Sequence, residues 1–393
     1  MKRFTQTLLL ALSFLIAPTT HALTLEVWSA FDGDLLYKVA QRFKQETGHE
    51  LVIRNVDTNS MRAETLLAER FEAYLPDVVW VPSDFLGMHD YLGLQAIPDD
   101  WITSSELEAS AFHHITTDNQ YYALPISLGN HLMLYYNKSL VQTPATSWEA
   151  LITTTRETQK PVILMDYKQN YYLAAFFSLF TDDNPFAILE FEASTIARSF
   201  EFYKELIDQG VFFSHCDSLC PRTRFIAEKS AYLIDGDWAI NSMNDEFKAK
   251  VGIAPLPTLN GKKMTSLSGG KILAFTQRHF ADPEKRQAMK QLSELVQRPA
   301  FLKELMNSNI FISANQSVNA QFFSEPNSID ATMYRLYLQS QPMNTSLKMA
   351  IYWEAMFRGY MRYQKGSPAD ESAEYVIHFL NKYFAKVDRR AEK

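Results

Sequence analysis

The chain has only two cysteines in 393 residues, and fewer basic side chains (38 Lys and Arg) than acidic ones (45 Asp and Glu). It has no run of 18 uninterrupted apolar residues, so no segment reads as a membrane-spanning helix. The acidic balance argues against nucleic acid as a partner, because a phosphate backbone demands basic patches. Missing too are GxSxG, HExxH and any evident histidine–acid–serine arrangement, so no familiar hydrolase constellation presents itself. There is no internal repeat and no low-complexity tract.

What is present begins at the N-terminus, MKRFTQTLLLALSFLIAPTTHA. Lys2 and Arg3 are followed by an apolar run over residues 8–17, and Thr20-His21-Ala22 offers small residues at the −3 and −1 positions of a cleavage site. This is the layout of a secretory signal peptide over residues 1–22, cut after Ala22 and leading to export. No cysteine follows the predicted cut, so nothing suggests a lipid anchor. Removing Lys2 and Arg3 takes the net charge from −7 to −9 and leaves about 371 residues, too many for one core and enough for two domains. Cys216 and Cys220, close together in SHCDSLCPR, read as one small-loop disulfide in an oxidising compartment. A zinc site using His215 is the alternative, and it lacks a fourth ligand. Adjacent His113 and His114 point in different directions in any regular structure, which disfavours a metal there. No metal or cofactor is expected.

Strand and helix patterns alternate. LTLEVWSAF reads as a strand, and DLLYKVAQRFKQETG as a helix with Leu35, Leu36, Val39, Ala40 and Phe43 on one stripe. HELVIRNV is a second strand, MRAETLLAERFEAYL a helix, PDVVWVP a short apolar strand, and DFLGMHDYLG a further helix. The second half resumes with KPVILMD, NYYLAAFFSLF and SFEFYKELIDQG, and Ser367-Pro368-Ala369-Asp370 opens a C-terminal helix. The alternation predicts an α/β fold with parallel sheets flanked by helices. In AYLIDGDWAI (231–240), residues 231–234 read as a strand and Asp235-Gly236 as a turn. Asp237 would cap a helix that presents Trp238 at a strand end, where α/β ligand sites form. A glycosidase would need two carboxyls facing across a substrate at about 5–9 Å, which two acids around a turn do not supply.

Several of these pieces occur together in a recognisable order: PDVVW, then ALPISLGNHLMLYYNKSL with SWEAL downstream, then a G-x-W strand exit followed by VGIAPLP and a glycine pair. In that order and spacing the chain resembles family 1 extracellular solute-binding proteins, the class of the periplasmic maltose-binding protein. The resemblance implies a two-lobed periplasmic binding protein fold of type II, each lobe a sheet flanked by helices. Lobe 1 would hold residues 23–128 and 276–315, and lobe 2 residues 131–270 and 322–393. A multi-segment hinge would cross near 127–130, 270–275 and 313–318. It implies a binding protein, not an enzyme, acting as a monomer that closes on a small-molecule ligand and presents it to the membrane permease of an ABC importer.

A sugar needs fixed donors and acceptors for its hydroxyls and flat rings for its C–H faces. On the family's motifs Asp32 matches an acid after the first strand, although Gly33 stands where the family has a lysine. Asp84 matches an acid after PDVVW, and could also be a simple helix cap. Asn130 and Asn170 replace family acids, with His131 beside Asn130. Tyr172, Trp238 and Trp353 match the aromatic platforms, and Arg358 stands near a family arginine. Trp80, one residue from a family tryptophan position, belongs in the core. Aromatics are kept and acids diluted, so the expected ligand is a mono- to oligosaccharide other than maltose. The other readings are a phosphorylated polyol or polyamine on the same fold, a sensor-associated binding protein, and a periplasmic glycoside hydrolase.

Overall fold

The computed structural model describes residues 22–31, 34–71, 74–182, 185–213 and 215–391. Asp32 and, apart from Ala22, the expected signal peptide lie outside the described residues. In chain order the elements that frame the site begin with β1 (Thr24–Ser29), α1 (Asp34–Thr47), β2 (Glu50–Asn55), α2 (Thr58–Arg70) and β3 (Val78–Pro82). Next come β4 (Leu124–Gly129), β5 (Leu132–Asn137), α3 (Trp148–Thr158), β6 (Ile163–Leu164) and α4 (Asn170–Phe176). These lead to α5 (Ala193–Asp208), α6 (Cys220–Ile226), β7 (Tyr232–Gly236) and β8 (Val251–Ala254). The chain finishes with β9 (Leu267–Phe275), α7 (Pro283–Val296), β10 (Ile312–Ser313), β11 (Gln341–Pro342), α8 (Leu347–Gln364) and α9 (Ala369–Ala391). None of the described helices is long and apolar enough to cross a membrane.

Two sheets organise these elements. The first has the order β10-β4-β9-β3-β1-β2, with β11 added alongside β9, and the second the order β8-β5-β7-β6. β2, β1 and β3 form a parallel block, and β6 with β7 and β11 with β9 are further parallel pairs. β9 runs antiparallel to both β3 and β4, so the sheet is mixed. The cause is connectivity. The chain leaves the first sheet along β4, passes straight into β5 of the second, and returns along β9. Strands that carry the chain between the sheets cannot keep the direction set by helical crossovers.

Burial follows the pleat. On β5, Met133 and Tyr135 join the apolar core that continues from the first sheet, while Leu132 and Leu134 enter a second core with Trp148, Phe176 and Phe200. This two-residue alternation puts apolar side chains on both faces, which is why LMLY reads as an unbroken apolar run. In α1 the buried positions are Leu36, Val39 and Phe43, one stripe of the helix. Each such burial contributes about 1.5–3 kcal/mol. Trp80 on β3 is buried, in the core as its sequence position suggests. At the far end α8 packs on α9, α9 packs on α5, and α8 also meets the short 3-10 helix Ser83–Met88 after β3.

Candidate functional site

The carboxyl ends of β3 and β7, the β4–β5 crossing and the face of α8 converge in one place. Tyr171, the second residue of α4, stands between two tryptophans, its ring centroid 6.2 Å from Trp238 and 6.2 Å from Trp353. All three rings are half-buried. The Tyr171 hydroxyl donates to the main-chain oxygen of Asn130 and, at 3.2 Å, to that of Leu267, which ties α4 to both crossing strands. Burial pushes this phenol well above the ordinary tyrosine range, so it remains a neutral donor.

Across from the rings lies an ion pair. Arg62 of α2 donates to Asp84, and its guanidinium sits 4.4 Å from the Phe85 ring centroid. Trp353 Nε1–H donates to the same Asp84 oxygen at 3.3 Å. Asp84 does not cap the helix that carries it, since Ser83–Met88 has no side-chain cap. Its work is to join α2 to α8. A cavity of about 550 Å³ opens beside this junction, lined by Arg62, Leu66, Met88, Ile351, Trp353 and Phe379 among others. Trp353 lines that cavity and also neighbours Tyr171.

The stretch 231–240 differs from its sequence reading. Asp235 and Gly236 do not turn; they extend β7, with Gly236 at φ −84° and ψ 173°. A 3-10 helix then runs over Asp237–Ser242. Glycine is required for closeness: a Cβ at 236 would lie 2.1 Å from Trp238 Cζ3. The indole therefore folds back over its own strand end. Asp237 braces the crossing instead of capping a helix. Its Oδ2 accepts from Asn130 N–H at 3.2 Å, its own N–H donates to His131 O at 3.1 Å, and its buried Oδ1 has no partner among the described residues. Gly129, at φ +127°, lies so near that an added Cβ would fall 1.9 Å from Asp237 Oδ2.

Beneath the rings lies a buried ionic knot. Asp235 Oδ1 accepts from the Tyr172 hydroxyl at 3.0 Å and from Gly236 N–H at 2.8 Å. Its Oδ2 accepts from Arg222 Nε at 3.1 Å and Nη2 at 3.0 Å. Burial raises the Asp235 pKa, and Arg222 is the main opposing influence. Arg222 belongs to α6, whose first residue, Cys220, is disulfide-bonded to Cys216 with Cα atoms 5.2 Å apart. The cysteine pair is thus a clip on the helix that supplies Arg222, and the zinc alternative with His215 is gone.

The structure sorts the sequence-selected residues accordingly. Asp84, Trp238 and Trp353 come together, and Asn130 joins them through its backbone at φ +49°. Tyr172 is buried on Asp235, and its neighbour Tyr171 takes the place between the tryptophans. Asn170 opens α4, half-buried and without a side-chain hydrogen bond among the described residues. Arg358 is not brought to the rings: exposed on α8, it bonds Glu354 and lies 5.7 Å from the Phe379 ring centroid. Sequence reasoning missed Arg62 and Tyr171. Among the described residues no group of three His, Cys, Asp or Glu side chains could hold a metal.

Residues 38–332 match the family described as bacterial extracellular solute-binding protein. Relatives from two strains of Streptococcus pneumoniae, both named maltooligosaccharide ABC transporter solute-binding lipoprotein, are 20% identical over 343 residues, covering 81% of this chain and 78% of theirs. Among solved structures, the maltose/maltodextrin-binding domain MalE from Bdellovibrio bacteriovorus bound to maltotriose superposes with a TM-score of 0.82 at 19% identity. The Thermus thermophilus maltotriose binding protein bound with maltotriose gives 0.79 at 20%. Each covers 92% of this chain and 100% of the other. The fold is the two-lobed type II binding-protein fold.

Proposed function

This chain belongs to the bacterial extracellular solute-binding protein family, and on that premise we propose that it captures an oligosaccharide between its lobes and delivers it to an ABC permease. The family and its relatives bind solutes for ABC transporters and are not enzymes. The observation that carries the sugar reading is the ring group: Tyr171 between Trp238 and Trp353, facing the Arg62–Asp84 pair. Flat rings suit the C–H faces of a pyranose, and a carboxylate with a guanidinium beside it both accepts from and donates to hydroxyls. Trp353 and Asp84 would exchange their mutual bond for bonds to ligand.

In this reading residues 23–128 with 276–315 move as one lobe and 131–270 with 322–393 as the other. The links near 127–130, 270–275 and 313–318 would absorb the motion, and ligand would shift the population toward closure. The chain works in the periplasm as a monomer. Maltotriose and longer α-glucans are the first candidates to test, given the names of the relatives.

Tryptophan fluorescence followed by isothermal titration calorimetry across a panel of neutral and acidic oligosaccharides tests the reading. The expected result is at least one glycan with Kd below about 1 mM, roughly −4 kcal/mol. A panel with no binder overturns it.

A further inference from the structure

We infer that Lys271 is the anion-recognising cation of the interlobe cleft, and that the captured saccharide carries a carboxylate, as a hexuronic acid residue does. The inference rests on the carbohydrate reading above and specifies its ligand. Lys271 sits in the middle of β9, opposite Pro82 at the end of β3 and Ser127 on β4. This is the edge where the parallel strands β1 and β3 terminate, and ligands of α/β sheets collect there. The Lys271 ammonium lies 5.0 Å from the ring centroid of Phe31, two residues past the end of β1. From the other lobe Asp237 is the charge that acts on it.

The contrast with other cations near the lobe boundary is sharp. Arg62 is paired with Asp84 and Arg222 with Asp235. Among the described residues no carboxylate lies within 4.0 Å of Lys271 Nζ. Asp237 does not reach it: one oxygen is held by Asn130 N–H and the other, buried, has no partner among the described residues. Among the described residues, a half-buried ammonium and a buried carboxylate oxygen are therefore left at one crossing without a bond. Burial already lowers the lysine pKa, which records the cost of keeping that charge out of water. Closing the lobes would raise the cost further unless the ligand supplied the counter-charge.

Charge and geometry select the anion. One lysine answers one negative charge, and a phosphate dianion would ask for converging arginines or helix N-termini. Arg62 is already engaged by Asp84, and Asp84 and Asp237 would repel a second negative charge. A uronic acid presents a single carboxylate at the ring edge and leaves its C–H face free for Tyr171, Trp238 or Trp353.

The test uses the full mature chain and calorimetry with oligogalacturonates, alginate oligomers and glucuronate-bearing xylo-oligosaccharides, each beside its carboxyl-reduced counterpart, together with maltotriose. At least one acidic oligosaccharide should bind about tenfold tighter than its reduced form, equivalent to 1.4 kcal/mol. Lys271→Met should erase that preference while leaving the thermal unfolding curve in place, and Lys271→Arg should keep most of it. Neutral glycans bound with no advantage for the carboxylate, or a preference that survives Lys271→Met, overturns this inference and leaves the carbohydrate reading standing. A panel without any binder removes the carbohydrate reading and this inference with it.

Discussion

The lobe that carries Asp84 meets the cleft with charge: Arg62 pairs with Asp84, and Lys271 stands on the returning strand. The lobe that carries Trp238 meets it with rings, and keeps its own charges underneath, where the buried Asp235 is held by a half-buried Arg222 and by Tyr172. In the proposed function the two walls would divide the labour of binding. Rings give contact area in a fixed orientation at little entropic cost, while half-buried charges discriminate among polar groups. The aromatic wall is only as rigid as the knot below it, because Tyr171 and Trp238 are the immediate chain neighbours of Tyr172 and of Gly236–Asp237.

The largest way to break this arrangement is to remove the support of the aromatic wall. Arg222→Ala leaves Asp235 buried with its cation gone, and should cost about 3–5 kcal/mol of stability in chemical denaturation. Replacing both partners by apolar residues, Arg222→Met with Asp235→Leu, should recover part of that loss, since no uncompensated charge remains. A single variant as stable as the parent would show that the knot is not what holds the wall. Acting on the rings themselves comes next. Trp238→Ala should weaken binding by about 30-fold, near 2 kcal/mol, with an unchanged unfolding curve. Gly236→Ala should also weaken binding, because its Cβ would occupy the space of the indole.

A further effect depends on pH. His114, buried behind β9 near Gly270, has its pKa lowered to about 3, by burial first and then by His113. Unfolded, it would titrate near 6.5. Between those values the unfolded chain binds a proton that the folded chain does not, so stability rises with pH across the window and falls as pH drops below about 6.5. The slope is about 1.4 kcal/mol per pH unit for one such group. Denaturation midpoints at pH 4.5 to 7 for the parent and His114→Gln check this; the variant should show a shallower dependence. Parallel curves would mean that other groups set the acid limit.

Much of this was readable in the sequence, and for identifiable reasons. Trp238 stands in a motif whose order was diagnostic, Trp353 matches a family aromatic position, and the disulfide followed from spacing and compartment. Tyr171 was not readable. It and Tyr172 are neighbours on a short helix, separated by about 100° of rotation, and nothing local says which ring faces the cleft. Arg62 was hidden because it meets Asp84 from a different helix, 22 residues earlier. Asp235-Gly236 was misread as a turn because a glycine between acids usually is one; here the glycine makes room for an indole that no local pattern announces.

The weakest effect is also the one that best separates sequence alignment from geometry. Arg358 lies five residues after Trp353 on α8, about 140° around the helix from it. Its guanidinium is exposed, bonded to Glu354 one turn back and resting near Phe379. An exposed pair at this spacing is screened by water and held by two long, mobile side chains, so it contributes little. Arg358→Ala should therefore change glycan affinity by no more than about twofold, whereas Arg62→Ala, which frees Asp84, should weaken it clearly. Titrating both variants with the same ligand decides the matter. If Arg358→Ala lost as much affinity as Arg62→Ala, the charged wall would have to extend along α8 past the cavity beside Trp353, and the division between a charged lobe and an aromatic lobe would no longer describe the cleft.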